Sequence, residues 1–160
     1  MFEIYNYINK IPEYRYLKMH EILKDDYINR NGIDKYNKSD FEGNSFNKWV
    51  SMIRNDKNYN IILYIIDNNI VGFITYMFIE DKLCISEVQI IKEYQGKYGI
   101  LKKLIKKVLS LIDKDIKEVV LTINDNNTKS KEVFTHIGFS NIKSNWYKID
   151  IDKLLLWINK

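Results

Sequence analysis

Three runs of β-branched and aromatic residues, joined by two short polar turns, constrain this chain more than any other feature. Asn60–Ile66 leads through Asp67-Asn68-Asn69 into Ile70–Ile79, and Glu80-Asp81-Lys82 leads on to Leu83–Ile91. Asn and Asp tolerate the left-handed backbone that tight hairpin turns demand, so the spacing predicts an antiparallel meander. The apolar runs fall short of the roughly 18 residues a spanning helix needs, and they read as buried strands.

The segments on either side supply helices to cover such a sheet. Leu101, Leu104, Ile105, Val108, Leu109 and Ile112 recur at three- and four-residue intervals, with Lys102, Lys103, Lys106 and Lys107 between them. That period predicts an amphipathic helix. Upstream, the alternation over Phe2–Ile8 predicts a strand. Pro12 then sits at the first turn of a helix carrying Leu17, His20, Ile22, Leu23 and Tyr27, and a second helix covers Phe46–Ile53. Downstream, Lys117–Ile123 reads as a strand, Asn127–Ile137 as a helix stopped by Gly138, and Trp146–Ile151 as a last strand. This order implies one α/β (α+β) domain over residues 1–160, a partly antiparallel mixed sheet with helices packed on its faces. The tail Leu154-Leu155-Leu156-Trp157 either packs on that core or forms a dimer contact, so the chain is expected to be a monomer or a homodimer.

Composition narrows the partners. The lone cysteine, Cys84, allows no internal disulfide and no cysteine-based zinc site, and reads as a buried strand residue. With no export signal near Glu3, a cytoplasmic location is expected. His20 and His136 fall on separate helices, so no metal is expected. The net charge of +4 is mild, and the only dense basic cluster is Lys97–Lys107. A nucleic-acid binder carries a more extended basic footprint, so neither nucleic acid nor membrane is an expected partner. Those lysines make a solvated helix face or attract a ligand's phosphates.

Two segments bear chemistry. In Ile90-Ile91-Lys92-Glu93-Tyr94-Gln95-Gly96-Lys97-Tyr98-Gly99-Ile100, a strand enters a glycine-bearing loop that opens into a helix. Unpaired N–H groups at a helix start suit a phosphate, although a structural turn accounts for the same pattern. In Asn127-x-x-Ser130-x-x-Val133-Phe134-x-x-x-Gly138-Phe139, the apolar stripe also reads as plain core.

Taken together, in this order and separation, the two segments resemble the GNAT superfamily of N-acetyltransferases. The first is similar to that family's acetyl-CoA segment, Q/R-x-x-G-x-G/A. The second is similar to its later helix, N-x-x-A-x-x-L-Y-x-x-x-G-F, and Asn69-Ile70-Val71-Gly72-Phe73-Ile74 resembles its common core strand. The resemblance implies a three-layer fold in which a splayed strand pair forms an acetyl-CoA cleft. It further implies a backbone contact from Ile90, N–H groups of Gln95, Gly96, Lys97, Tyr98, Gly99, Ile100 and Leu101 around the pyrophosphate, and Asn127 holding the pantetheine arm. This chain departs from the pattern twice. Tyr98 and Ile100 stand at the loop's small-residue positions, and one inserted residue restores Gly99 to the first and aligns Leu104-Ile105 with the usual apolar pair. Phe134 stands where the family often carries a tyrosine thought to protonate the leaving thiolate.

An amine nucleophile must lose a proton, since alkylamines have a pKa of about 10. Glu87 is the candidate general base. Alternation places Val88 and Ile90 on one face and Glu87 and Gln89 on the other, though a solvent-facing carboxylate fits the same pattern. A backbone N–H near Ile90 would stabilise the thioester oxygen. With phenylalanine at position 134, Tyr98, Tyr147 or a water would supply the acid. The reaction expected is direct transfer of acetyl from acetyl-CoA to a primary amine. A non-catalytic acyl-CoA sensor of the same fold and a small basic nucleic-acid-binding domain are the rival readings.

Overall fold

The computed structural model describes all 160 residues. Its centre is a seven-stranded sheet built from β1 (Phe2–Tyr5), β2 (Asn60–Ile66), β3 (Asn69–Ile79), β4 (Lys82–Ile90), β5 (Glu118–Thr122), β6 (Ser140–Lys143) and β7 (Trp146–Asp150), in the spatial order β1-β2-β3-β4-β5-β7-β6. Every neighbouring pair is antiparallel except β4 and β5, which run parallel. The expected meander is present. Asp67 and Asn68 both take positive φ (50° and 64°), the primed turn whose twist matches the strands it joins.

Helices cover both faces. On one lie α1 (Glu13–Asn31) and α3 (Phe46–Asn55); between them come a turn at Ile33–Lys35, the short α2 (Lys38–Asp40) and a π-helical turn over Phe41–Ser45 that runs into α3. Met19, Ile22 and Ile53 pack there against Ile61, Leu63 and Phe73. The other face carries α4 (Ile100–Leu111), α5 (Thr128–Ile137) and α6 (Ile151–Ile158) over the larger core, which includes Ile62, Ile74, Leu83, Ile85, Leu104, Ile105, Val108 and Phe134. Leu104 and Ile105 are fully buried, as the expected apolar pair of that helix.

One expectation needs correction, and two features go beyond what was expected. The first strand stops at Tyr5 rather than Ile8, because the Asn6 side chain accepts the N–H groups of Ile8 and Asn9 and turns the chain. The tail forms α6 and packs on the core through Leu154, one of its two expected alternatives, with Leu156 exposed. An extra edge strand, β6, hairpins with β7, and all its side chains are exposed, so it carries no apolar alternation to read. Near the other edge, the Arg15 guanidinium is buried on α1 against Glu3 of β1 (2.6 and 2.8 Å) and the Asn68 carbonyl (2.9 Å). That fork pins helix, strand and turn together.

Candidate active site

One extra residue in β4 decides which way its end faces. The β3–β4 register pairs Tyr76 with Ile85 but Thr75 with Glu87, so Ser86 is a bulge. A one-residue slip moves later side chains to the opposite face. Leu83 and Ile85 point into the α4–α6 core, and beyond the bulge that face receives Val88 and Ile90. Glu87 and Gln89 turn instead to α1, where Gln89 Nε2 meets Asp26. The alternation expected for residues 87–90 holds, and the Ser86 bulge decides which face each set takes.

The bulge also precedes a gap. Parallel pairing of β4 with β5 ends at Ile85–Leu121, while β4 continues to Ile90. Ile91 N–H donates to Val71 O, so by ladder alternation the N–H and C=O of Val88 and Ile90 face the open side. Gln95 Nε2 donates to the Ile90 carbonyl (2.8 Å), and its Oε1 accepts from Lys129 of α5, so this side chain bridges the two lips.

The loop after β4 is shaped for an anion. Gly96, Tyr98 and Gly99 all adopt positive φ (69°, 59° and 59°), and added Cβ atoms at Gly96 and Gly99 would meet nothing. The N–H groups of Gly96, Tyr98, Gly99, Ile100, Leu101 and Lys102 have no acceptor in the protein. Those of Gln95 and Lys97 turn inward to Lys92 O and Tyr94 O. A nest of this kind at a helix start favours a phosphate. Beneath it, α4 closes on β3 because residue 72 is glycine: a Cβ there would stand 3.1 Å from Gln89 O and from Ile100 Cγ2.

Glu87 is the most perturbed carboxyl of the site. Its surrounding protein bulk pushes its pKa up to about 7, opposed by a 2.8 Å hydrogen bond from Gln89, raised further by Asp26 and lowered by Arg30. It still keeps partial contact with solvent. A carboxyl titrating near neutrality suits proton abstraction.

The remaining expected residues are dispersed. Asn127 caps α5, its Oδ1 accepting Ser130 N–H at 3.2 Å, while its amide N–H groups stay available. Phe134 is buried, edge-on to Phe139 at 5.4 Å. Tyr98 is 67% exposed and packs on Tyr94; Tyr147 lies on β7 opposite Leu121, half-buried against the larger core. His20 belongs to an aromatic cluster with Phe41, Phe46 and Trp49, and burial lowers its pKa. Cys84 is buried, which raises its thiol pKa. Asp26 and Arg30, which reach the site from α1, were not foreseen. Their four-residue spacing reads as a surface ion pair, and only the fold brings them to β4. Two shallow grooves of about 410 Å³ lie among α4, α5 and α6, lined by Leu101, His136, Ile137 and Trp157 among others, and neither includes a residue of β4. No helix is long and apolar enough to cross a membrane.

Residues 25–153 match the family model of the acetyltransferase (GNAT) domain. Among solved structures, the chain is similar to an acetyltransferase from Thermus thermophilus (TM-score 0.72, 15% identity, 94% of this chain and 97% of that one). It is similar to the paia N-acetyltransferase of Thermoplasma acidophilum in complex with coenzyme A (TM-score 0.64, 15% identity, 94% and 98%). It is also similar to an aminoglycoside acetyltransferase from an uncultured soil metagenomic sample in complex with sisomicin (TM-score 0.64, 12% identity, 90% of each chain). At these identities the likeness concerns the fold. No curated protein matches the sequence.

Proposed function

Because the chain belongs to the GNAT acetyltransferase family, we propose that it moves an acetyl group from acetyl-CoA to a primary amine of a small molecule or peptide, by direct transfer in a ternary complex in the cytoplasm. The observation that carries this reading is the parted β4–β5 pair, flanked by a loop whose N–H groups lack acceptors. Gly96, Tyr98, Gly99, Ile100 and Leu101 hold the pyrophosphate through those groups, with Gln95 and Lys97 shaping the loop. Val88 and Ile90 offer backbone groups to the pantetheine arm, and Asn127 adds its free amide.

Bound acetyl-CoA supplies the thioester-activated acetyl group. Glu87 takes one proton from the substrate ammonium, leaving a neutral amine able to attack. The gap-facing N–H groups of Val88 and Ile90 stabilise the charge that develops on the thioester oxygen. As the tetrahedral adduct collapses and its C–S bond breaks, the nitrogen loses its second proton and the thiolate gains one. Phe134 has no proton to give and Tyr98 stands in the loop at the pyrophosphate end, so Tyr147 or water relays that proton. The acceptor side is walled by α1 and the segment between it and α3.

The test is coenzyme A thiol release with a panel of polyamines, aminoglycosides and peptide N-termini, with the acetylated product identified by mass spectrometry. Amine-dependent release is the expected result. The hydroxyl-free Phe134 favours one second reading, a non-catalytic acyl-CoA sensor, and coenzyme binding without release by any amine would establish it instead.

A further inference from the structure

Gln89 joins two carboxylates that lie on different elements. One hydrogen of its amide goes to Glu87 Oε1 (2.8 Å) and the other to Asp26 Oδ2 (3.3 Å). Two anionic acceptors fix the amide's orientation, because its carbonyl oxygen turned toward them would be repelled. The same Asp26 oxygen accepts from Arg30 Nε at 3.0 Å. Arg30 Nη1 continues to Asn126 Oδ1 (3.3 Å), and Asn126 Nδ2 donates to Asn31 Oδ1 (2.8 Å). The chain of contacts runs from β4 through the last turns of α1 to the residue beside Asn127, spanning the cleft from one lip to the other.

We propose that Asp26 and Arg30 are positioning residues for Glu87, orienting its carboxylate through Gln89 so that it faces the incoming amine. This rests on the reading of Glu87 as the base. As stability devices the pair would contribute little, since four-residue ion pairs on helices are worth about 0.3–0.5 kcal/mol at exposed sites and this one is only partly withdrawn from solvent. As a relay to Glu87 they exert opposite effects. Asp26 adds a negative neighbour that holds the proton on Glu87, and Arg30 offsets it. Glu87 faces Asp26 and Arg30 from α1, Gln89 along its own strand, and Thr75 across the β3 register. Tyr59 donates to Thr75 Oγ1 at 3.0 Å, and burial pushes its pKa up to about 12, so it stays neutral while Glu87 titrates.

The experiment is a side-chain carboxyl carbon NMR titration of the full chain, with the Glu87 signal assigned through Glu87→Gln. Asp26→Asn is expected to lower the Glu87 midpoint by about half a pH unit or more, and Arg30→Gln to raise it by a similar amount. Arg30→Lys, which keeps the charge, should stay near the parent value. A midpoint unmoved by either neutral variant, or moved the same way by both, overturns the proposal. If Asp26→Asn does not fold, the direction of the Arg30→Gln shift decides alone. The titration needs neither coenzyme nor amine, so acetyl-CoA binding by the parent protein reports separately on the functional reading.

Discussion

Replacing Glu87 by glutamine should make the protein more stable at alkaline pH and leave it unchanged in acid. The carboxyl's pKa is pushed up to about 7 in the fold, against an ordinary 4.5 in the unfolded chain. Below pH 4.5 both states are protonated and the group contributes no difference. As pH rises from 4.5 to 7, the unfolded chain ionises first, so unfolding releases a proton and stability falls. Above 7 the folded state carries the full penalty of an ionised, poorly solvated carboxylate. At about 1.36 kcal/mol per pH unit, that penalty reaches roughly 3.4 kcal/mol. Partial solvent contact reduces it to about 2 kcal/mol. Glutamine is isosteric, can still accept from Gln89, and carries no charge. At pH 8, Glu87→Gln should raise Tm by about 4–8 °C, and at pH 4.5 the two curves should nearly coincide. Thermal unfolding of both proteins at the two pH values measures this directly. A stability difference independent of pH, or a glutamine variant less stable at pH 8, would refute the buried-base argument. The same variant should lose turnover together with the acid limb near pH 7.

Asn127→Ala should cost about 1 kcal/mol through the lost cap of α5 and weaken acetyl-CoA binding about tenfold. Asn127→Ser should keep the cap yet lose the affinity, which calorimetry beside urea unfolding will separate. Gly72→Ala places a methyl 3.1 Å from both Gln89 O and Ile100 Cγ2. It should cost about 1–3 kcal/mol in urea unfolding and weaken coenzyme binding, because Ile100 opens α4. Glu3→Gln leaves the buried Arg15 charge without its carboxylate and should cost about 3 kcal/mol at pH 7. The Arg15 hydrogen bond holds the Glu3 pKa low. The pair's contribution is therefore present above pH 4.5 and is lost as pH falls through the folded pKa, so the difference between parent and variant should shrink in strong acid.

Much of this architecture is legible in the residues because it is locally encoded. Asp67-Asn68 can turn left-handed, Leu104-Ile105 fall at helical spacing, and Asn127 and Gly138 mark the ends of one helix with a cap and a stop. The alternation of Glu87 and Gln89 against Val88 and Ile90 is equally local. What escaped is set by distant partners or by too few residues. Ser86 becomes a bulge only through its pairing with β3, and the gap beside it through a parallel partner more than thirty residues along the chain. Asp26 and Arg30 look like any solvated helix pair until α1 is laid against β4. The tail's consecutive leucines hide the helical period that buries Leu154 and exposes Leu156. In β6, a wholly exposed strand leaves no apolar pattern at all.

The most direct test of the central claim is calorimetric titration of the purified chain with acetyl-CoA, with free coenzyme A in parallel. The account predicts one site per chain with micromolar-range affinity, about −8 kcal/mol, shared by both ligands and weakened in Asn127→Ala. No heat of binding for either ligand would contradict it.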